Sequence, residues 1–190
     1  MFGSIVILEN SFPTRSLVET YFLEFDGYRL IPEPPIPNAA IDYSAAINLL
    51  VLPTGQILET DGTKDVKIYT PDDTTHRPAW EPVFTQAPSV VNPGGAYTIT
   101  GVRFNGMSQA SMYGDENQNA TNYPLVRITN LLTNHVFYSR THDHTSMAVA
   151  SKGRVSTQFD VPNSQEPGPS KLEVVANGIA SKPRFVFVGY

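Results

Sequence analysis

The chain has 190 residues, enough for one ordinary domain or two small ones, and its 41% hydrophobic content excludes wholesale disorder. No run approaches the ~20 apolar residues of a membrane-spanning helix, and the absence of cysteine removes disulfides, thiolate zinc sites and thiol nucleophiles. A net charge of −5 argues against broad nucleic-acid binding, which needs clustered Lys and Arg on phosphates. Met1-Phe2-Gly3-Ser4 leads into the apolar run Ile5-Val6-Ile7-Leu8, which stops at Glu9. A basic leader, a longer apolar stretch and a small-residue cleavage site are all lacking. The run therefore reads as a buried strand, and the chain as a cytoplasmic protein or a piece of something longer. Residues 20–25 (TYFLEF) form the next strand, closed by the turn pair Asp26-Gly27. After a loop dense in proline, residues 48–52 (NLLVL), 56–60 (QILET) and 66–69 (VKIY) form three more, joined by Pro53-Thr54-Gly55 and Asp61-Gly62. Short turns between successive strands describe a β-meander. FLEFDG and ILETDG echo one another at about the period of a propeller blade.

Charge divides the chain as well. Residues 1–80 hold eleven acidic and five basic side chains, net −6; residues 81–190 hold seven and eight, net +1. Pro71, Pro78 and Pro82 punctuate the stretch between, so a first part over 1–80 gives way to a second over 81–190. After the turn Asn92-Pro93-Gly94-Gly95, the second part offers residues 96–101 (AYTITG), 125–129 (LVRIT), 135–139 (HVFYS), 146–149 (SMAV), 155–159 (VSTQF), 171–175 (KLEVV) and 184–188 (RFVFV). Short strands at this spacing, with turn signals between them and no helical periodicity, predict an immunoglobulin-like β-sandwich. The fold class is all-β.

Leu49 to Leu58 and Val66 to Pro71 resemble a late kelch-type propeller blade. The stretch 92–101, Phe104-Asn105-Gly106, Tyr113-Gly114-Asp115, the run 122–128 and Val174 to Ile179 are similar to an early-set immunoglobulin-like domain. Together they resemble the C-terminal part of galactose-oxidase-like kelch proteins. The resemblance covers roughly residues 20–188 and is sharper in the second half. It implies a secreted, extracellular protein in which the sandwich follows a propeller, with only the last propeller strands present over 1–80.

In that family copper is held by two tyrosines and two histidines, one tyrosine being cross-linked to a cysteine. One histidine follows a Tyr-Gly pair. Here Tyr113-Gly114 is followed by Asp115-Glu116-Asn117-Gln118-Asn119, with no histidine, and no cysteine exists for the cross-link. The resemblance therefore implies a non-catalytic brace with no cofactor; copper enters only under the alternative, a fragment of a copper-radical oxidase. The loop from Tyr113 through Gly114, Asp115 and Asn122 to Tyr123 is expected to be the interface loop that meets the propeller.

Other residues carry weaker signals. If their segment is extended, His142 and His144 project to one face and could share a metal, although two ligands are too few. The plainer reading is a tight strand entry held by hydrogen bonds from Thr141, Asp143 and Thr145. Asp115 and Glu116 offer oxygen donors for calcium, without EF-hand spacing. Trp80, between the parts, is expected to pack one domain on the other rather than stack on a sugar. A carbohydrate-binding module is the remaining alternative. One and a half blades leave Ile5, Ile7, Phe22, Phe25, Leu50, Leu52 and Ile57 short of neighbours, so self-association or the remainder of a propeller is the expected partner.

Overall fold

The computed structural model describes residues 4–9, 20–25, 28–34, 47–71, 75–109 and 122–190. Every regular element among them is a strand, apart from one 3-10 turn at Pro78–Trp80. Contacts divide the chain into two compact units, with the change falling between Arg77 and Pro78.

The first unit carries two antiparallel meanders. β1 (Ser4–Glu9), β2 (Thr20–Phe25) and β3 (Leu30–Pro32) form one, with Ile5 opposite Glu24 and Leu23 opposite Pro32. β4 (Asn48–Val51), β5 (Ile57–Thr60) and β6 (Val66–Tyr69) form the other, with Leu58 between Leu50 and Ile68. The Asp61-Gly62 turn works as its residue types require. Asp61 Oδ1 accepts hydrogen bonds from Thr63 N (2.9 Å) and Oγ1 (2.6 Å), and Gly62 takes the positive φ (80°) that a side chain would resist. The Asp26-Gly27 turn lies outside the described residues. Tyr69 Oη donates to Glu33 Oε2 at 2.5 Å, tying the second meander to the chain just after β3.

The second unit is a β-sandwich. Its strands are β7 (Val83–Gln86), β8 (Val90–Val91), β9 (Ala96–Val102), β10 (Leu125–Asn130), β11 (Val136–Ser139), β12 (Thr141–His142), β13 (Arg154–Asp160), β14 (Gly168–Ala176), β15 (Ile179–Ala180) and β16 (Arg184–Val188). One sheet runs β12-β13-β9-β7; the other runs β11-β10-β14-β16-β8, with β15 also on β14. Lettered in chain order, the first is D-E-B-A and the second C′-C-F-G, the strand order of an immunoglobulin-like sandwich. The chain switches sheets at 87–89, so that β8 pairs with β16 in parallel while β7 pairs antiparallel with β9.

Period-2 alternation builds the core. Val126 and Ile128, Leu172 and Val174, and Val186 and Val188 point inward from one sheet; Phe84, Ile99, Val155 and Phe159 meet them from the other. Phe84 and Phe104 pack edge to face at 5.9 Å, and Tyr97 lies against Phe159 at 6.0 Å. Gly101 is small for a reason: a Cβ there would lie 2.2 Å from Val83 O and 2.4 Å from the Phe104 ring.

The sequence differs from the structure at one expected strand. Residues 146–149 are irregular, and their place as an edge is taken by β12, which stops after His142 because Asp143 adopts a left-handed backbone (φ 51°). A non-glycine residue at that φ ends pairing, and Asp tolerates it better than most. Strands β3, β7, β8 and β15 were too short or too close to proline for pattern reading to find.

Candidate functional site

The histidine cluster is built by that break. Thr141 is buried at the edge of its sheet, and its Oγ1 donates to Pro124 O. His142 follows, with Nδ1 2.9 Å from Asp143 Oδ2 and Nε2 3.2 Å from Asp160 Oδ1 at the end of β13. The Asp143 carboxylate, then that of Asp160, raises the pKa of His142 above its ordinary value. Beyond the kink, Thr145 N and Oγ1 bond to Ser156 O at 3.0 Å and 3.4 Å, and Ser156 N returns a bond to Thr145 Oγ1 at 2.9 Å.

His144 goes elsewhere. Its ring meets Tyr123 edge-on at 5.1 Å, and its Nε2 is buried without a hydrogen-bond partner among the described residues. Partial burial, and then the neighbouring His142, lowers its pKa. The extended-strand geometry that would set both rings on one face is broken at Asp143. Both nitrogens of His142 are occupied by carboxylates, so the pair does not fit a copper or zinc site. No group of three or more metal-ligating side chains occurs among the described residues.

The remaining expected residues separate. Asn122 is buried and Tyr123 half exposed at the start of the segment leading into β10. Tyr113, Gly114, Asp115 and Glu116 lie outside the described residues. Trp80 closes the 3-10 turn and is partly buried. Two polar clusters were not foreseen. In the first unit, Lys67 Nζ lies 2.6 Å from Asp61 Oδ2 and 3.5 Å from the buried Glu59. Hydrogen bonds from Lys67 and Thr63 hold the Asp61 carboxyl well below the usual carboxylate range. In the second unit, Glu166 accepts from Thr133 Oγ1 at 2.5 Å and lies 2.6 Å from His135 Nδ1; these two contacts lower its pKa.

A larger feature is the outer face of the six-stranded sheet. Register places Val136, Thr129, Lys171 and Phe185 in one cross-strand row, and Tyr138, Arg127 and Glu173 in the next. On the other side of the first row Phe187 stands beside Val90. Phe185 is 65% exposed, Val90 53%, Val136 49% and Phe187 41%. The charges between them are paired: Glu173 Oε2 is 3.0 Å from Arg127 Nε and 3.7 Å from Lys171 Nζ. The face thus carries exposed aromatic and branched side chains beside a group of two cations and one anion. Sequence reasoning marked residues 184–188 and 135–139 as strands but not this surface, whose signal was the aromatic at alternate positions opposite valine.

No protein-family model matches the chain, and no curated protein matches it.

Proposed function

We propose that the chain is a non-catalytic structural and interaction module whose working surface is the outer face of the six-stranded sheet. The observation that carries this reading is the exposure of Phe185, Phe187, Val90 and Val136 on neighbouring positions of one sheet face, outside the core that the two sheets enclose. Aromatic side chains exposed in one contiguous patch favour a protein surface as partner. The resemblance to galactose-oxidase-like kelch proteins adds the setting: an extracellular brace beside a propeller. The two meanders of the first unit agree with blade strands in their antiparallel order, which supports that setting without being specific to it.

Two measurements on the purified chain test the reading. Calorimetric titration with copper(II) and calcium is expected to give no binding tighter than ~100 µM. A dye that reports exposed apolar surface is expected to bind the folded chain and to lose part of its signal in Phe185→Ser/Phe187→Ser, with far-UV circular dichroism unchanged. Stoichiometric copper, or dye binding indifferent to the two substitutions, would overturn it.

A further inference from the structure

We propose that Asn177 is a site of spontaneous chemical modification, deamidation through Gly178, and that its own side chain forms the clasp that restrains the reaction. The inference is independent of the interaction-module reading. The chain contains two Asn-Gly pairs, Asn105-Gly106 and Asn177-Gly178. Such pairs favour deamidation because glycine, lacking a side chain, leaves its amide nitrogen open to attack the preceding carboxamide. The fold brings the two pairs together at one end of the sandwich, where a Cβ on Gly106 would collide with Asn177 Oδ1. As sequence the pairs are equivalent; their surroundings are not.

Asn177 and Gly178 are the two residues of the tight turn between β14 and β15, flanked by the paired residues Ala176 and Ile179. Both have positive φ (51° and 72°), as a type I′ hairpin requires. In such a turn the ladder bonds run between the flanking residues and do not use Gly178 N. The Asn177 carboxamide is engaged: Oδ1 accepts from Met107 N at 3.0 Å and Ser108 N at 3.4 Å, and Nδ2 donates to Ser108 O at 3.0 Å. These bonds are exposed, so they open while the core stays packed. Asn105 is 2% exposed, its Nδ2 donates to Met147 Sδ at 3.2 Å, and the nitrogen beside it, Gly106 N, already donates to Arg103 O at 3.0 Å. When the clasp opens, Gly178 N bonds to Asn177 Cγ and gives up its proton as the Cγ–Nδ2 bond breaks and ammonia leaves. Water then opens the five-membered imide at either carbonyl, giving aspartate or isoaspartate. Either product carries an added negative charge and has no N–H for Ser108 O, so the loop at 106–108 loses that tie to the turn.

The test is peptide mapping by mass spectrometry of the full chain aged at mildly alkaline pH, folded and in guanidinium chloride. In denaturant both asparagines are expected to convert at comparable rates. In the folded chain Asn177 is expected to convert at least ~tenfold more slowly than in denaturant, because its hydrogen bonds must first open. It is also expected to convert at least ~tenfold faster than Asn105, whose attack needs a buried side chain to come free. Conversion at Asn105 that matches or exceeds that at Asn177 in the folded chain overturns the inference. So does a folded chain that converts at Asn177 as fast as in denaturant, or not at all while the denatured sample reaches completion. Ion exchange then separates converted from unconverted chains by the added charge. The converted chain is expected to unfold at lower urea, and an unchanged midpoint overturns the role of Asn177 as a clasp.

Discussion

Gly101→Ala probes the closest approach in the sandwich. Gly101 lies in β9 between Val155 of β13 and Phe84 of β7, and a methyl group there would sit 2.2 Å from Val83 O and 2.4 Å from Phe104 Cε1. Neither neighbour moves freely. Val83 O belongs to the chain at the sheet edge, and Phe104 is 1% exposed and wedged edge-on against Phe84. Overpacking costs about 1–3 kcal/mol, and a backbone obstacle puts this site in the upper part of that range. The lower entropy of the unfolded alanine chain returns about 0.4–1 kcal/mol, leaving a net loss of about 2 kcal/mol. With about 4–8 °C per kcal/mol for a domain near 100 residues, the melting temperature of the second unit should fall by about 8–16 °C. Thermal unfolding followed by near-ultraviolet circular dichroism, dominated by aromatic packing, reads this directly. Phe104→Ala costs about 3–5 kcal/mol by itself. The double variant should lose less than the sum of the two single losses, because the ring is then gone and only the Val83 carbonyl still blocks the methyl. A Gly101→Ala chain melting within about 2 °C of wild type would show that β7 and β9 yield far more easily than this packing allows.

Three further outcomes are expected. Asp61 has a depressed pKa, so its contribution to stability is present above the ordinary carboxylate pKa of ~4 and is lost as pH falls through the folded value; denaturant unfolding from pH 7 down to pH 2 should show an acid-sensitive limb in the first unit that Asp61→Asn flattens. Proton NMR should find His142 titrating above the ordinary histidine value of ~6.5 and His144 below it, with Asp143→Asn lowering His142 more than Asp160→Asn does; the reverse order would contradict the hydrogen-bond assignment. The contribution of His142 to stability runs opposite to that of Asp61, being present below ~6.5 and lost as pH rises through its raised folded value. Gly106→Ala should destabilise the second unit by about 1–3 kcal/mol, because Gly106 has φ 63° and a Cβ would come within 1.8 Å of Asn177 Oδ1; equilibrium unfolding in urea measures it, and Asn177→Gly in the same chain should recover part of the loss.

Strand positions were legible wherever side-chain alternation was strong and proline stayed outside the run. β2, β6 and β16 fall on their expected residues, and β9, β10, β13 and β14 differ only at their ends. The exception at 146–149 has a local cause that composition does not show: the left-handed backbone at Asp143 ends the regular pairing of β12, and Thr145 then makes isolated hydrogen bonds to Ser156 of β13 in place of a continued ladder. The same kink separates His142 from His144, so a two-residue spacing that promised a shared ligand face instead gave one imidazole between carboxylates and another against Tyr123. The expected sticky set also changed. Phe22 is buried and Leu50, Leu52 and Ile57 are half-buried, the side chains of Ile5, Ile7 and Phe25 lie outside the described residues, and Leu30, Ile31, Val66 and Ile68 take exposed positions on the edge strands.

By itself the sequence determined that this is an all-β chain, where most strands lie, and that its acidic and basic side chains are unevenly shared between the two halves. These follow from local steric preference, period-2 alternation and simple counting. The tertiary structure alone decided which side of each strand is covered. Arg184-Phe185-Val186-Phe187-Val188 has hydrophobic residues on both faces, and transfer free energy by itself would bury the larger phenylalanines. The sandwich buries Val186 and Val188 instead, in a closely packed core that already holds Phe84, Phe104 and Phe159. Phe185 and Phe187 are left on the outer face, where they create the surface assigned here to a partner.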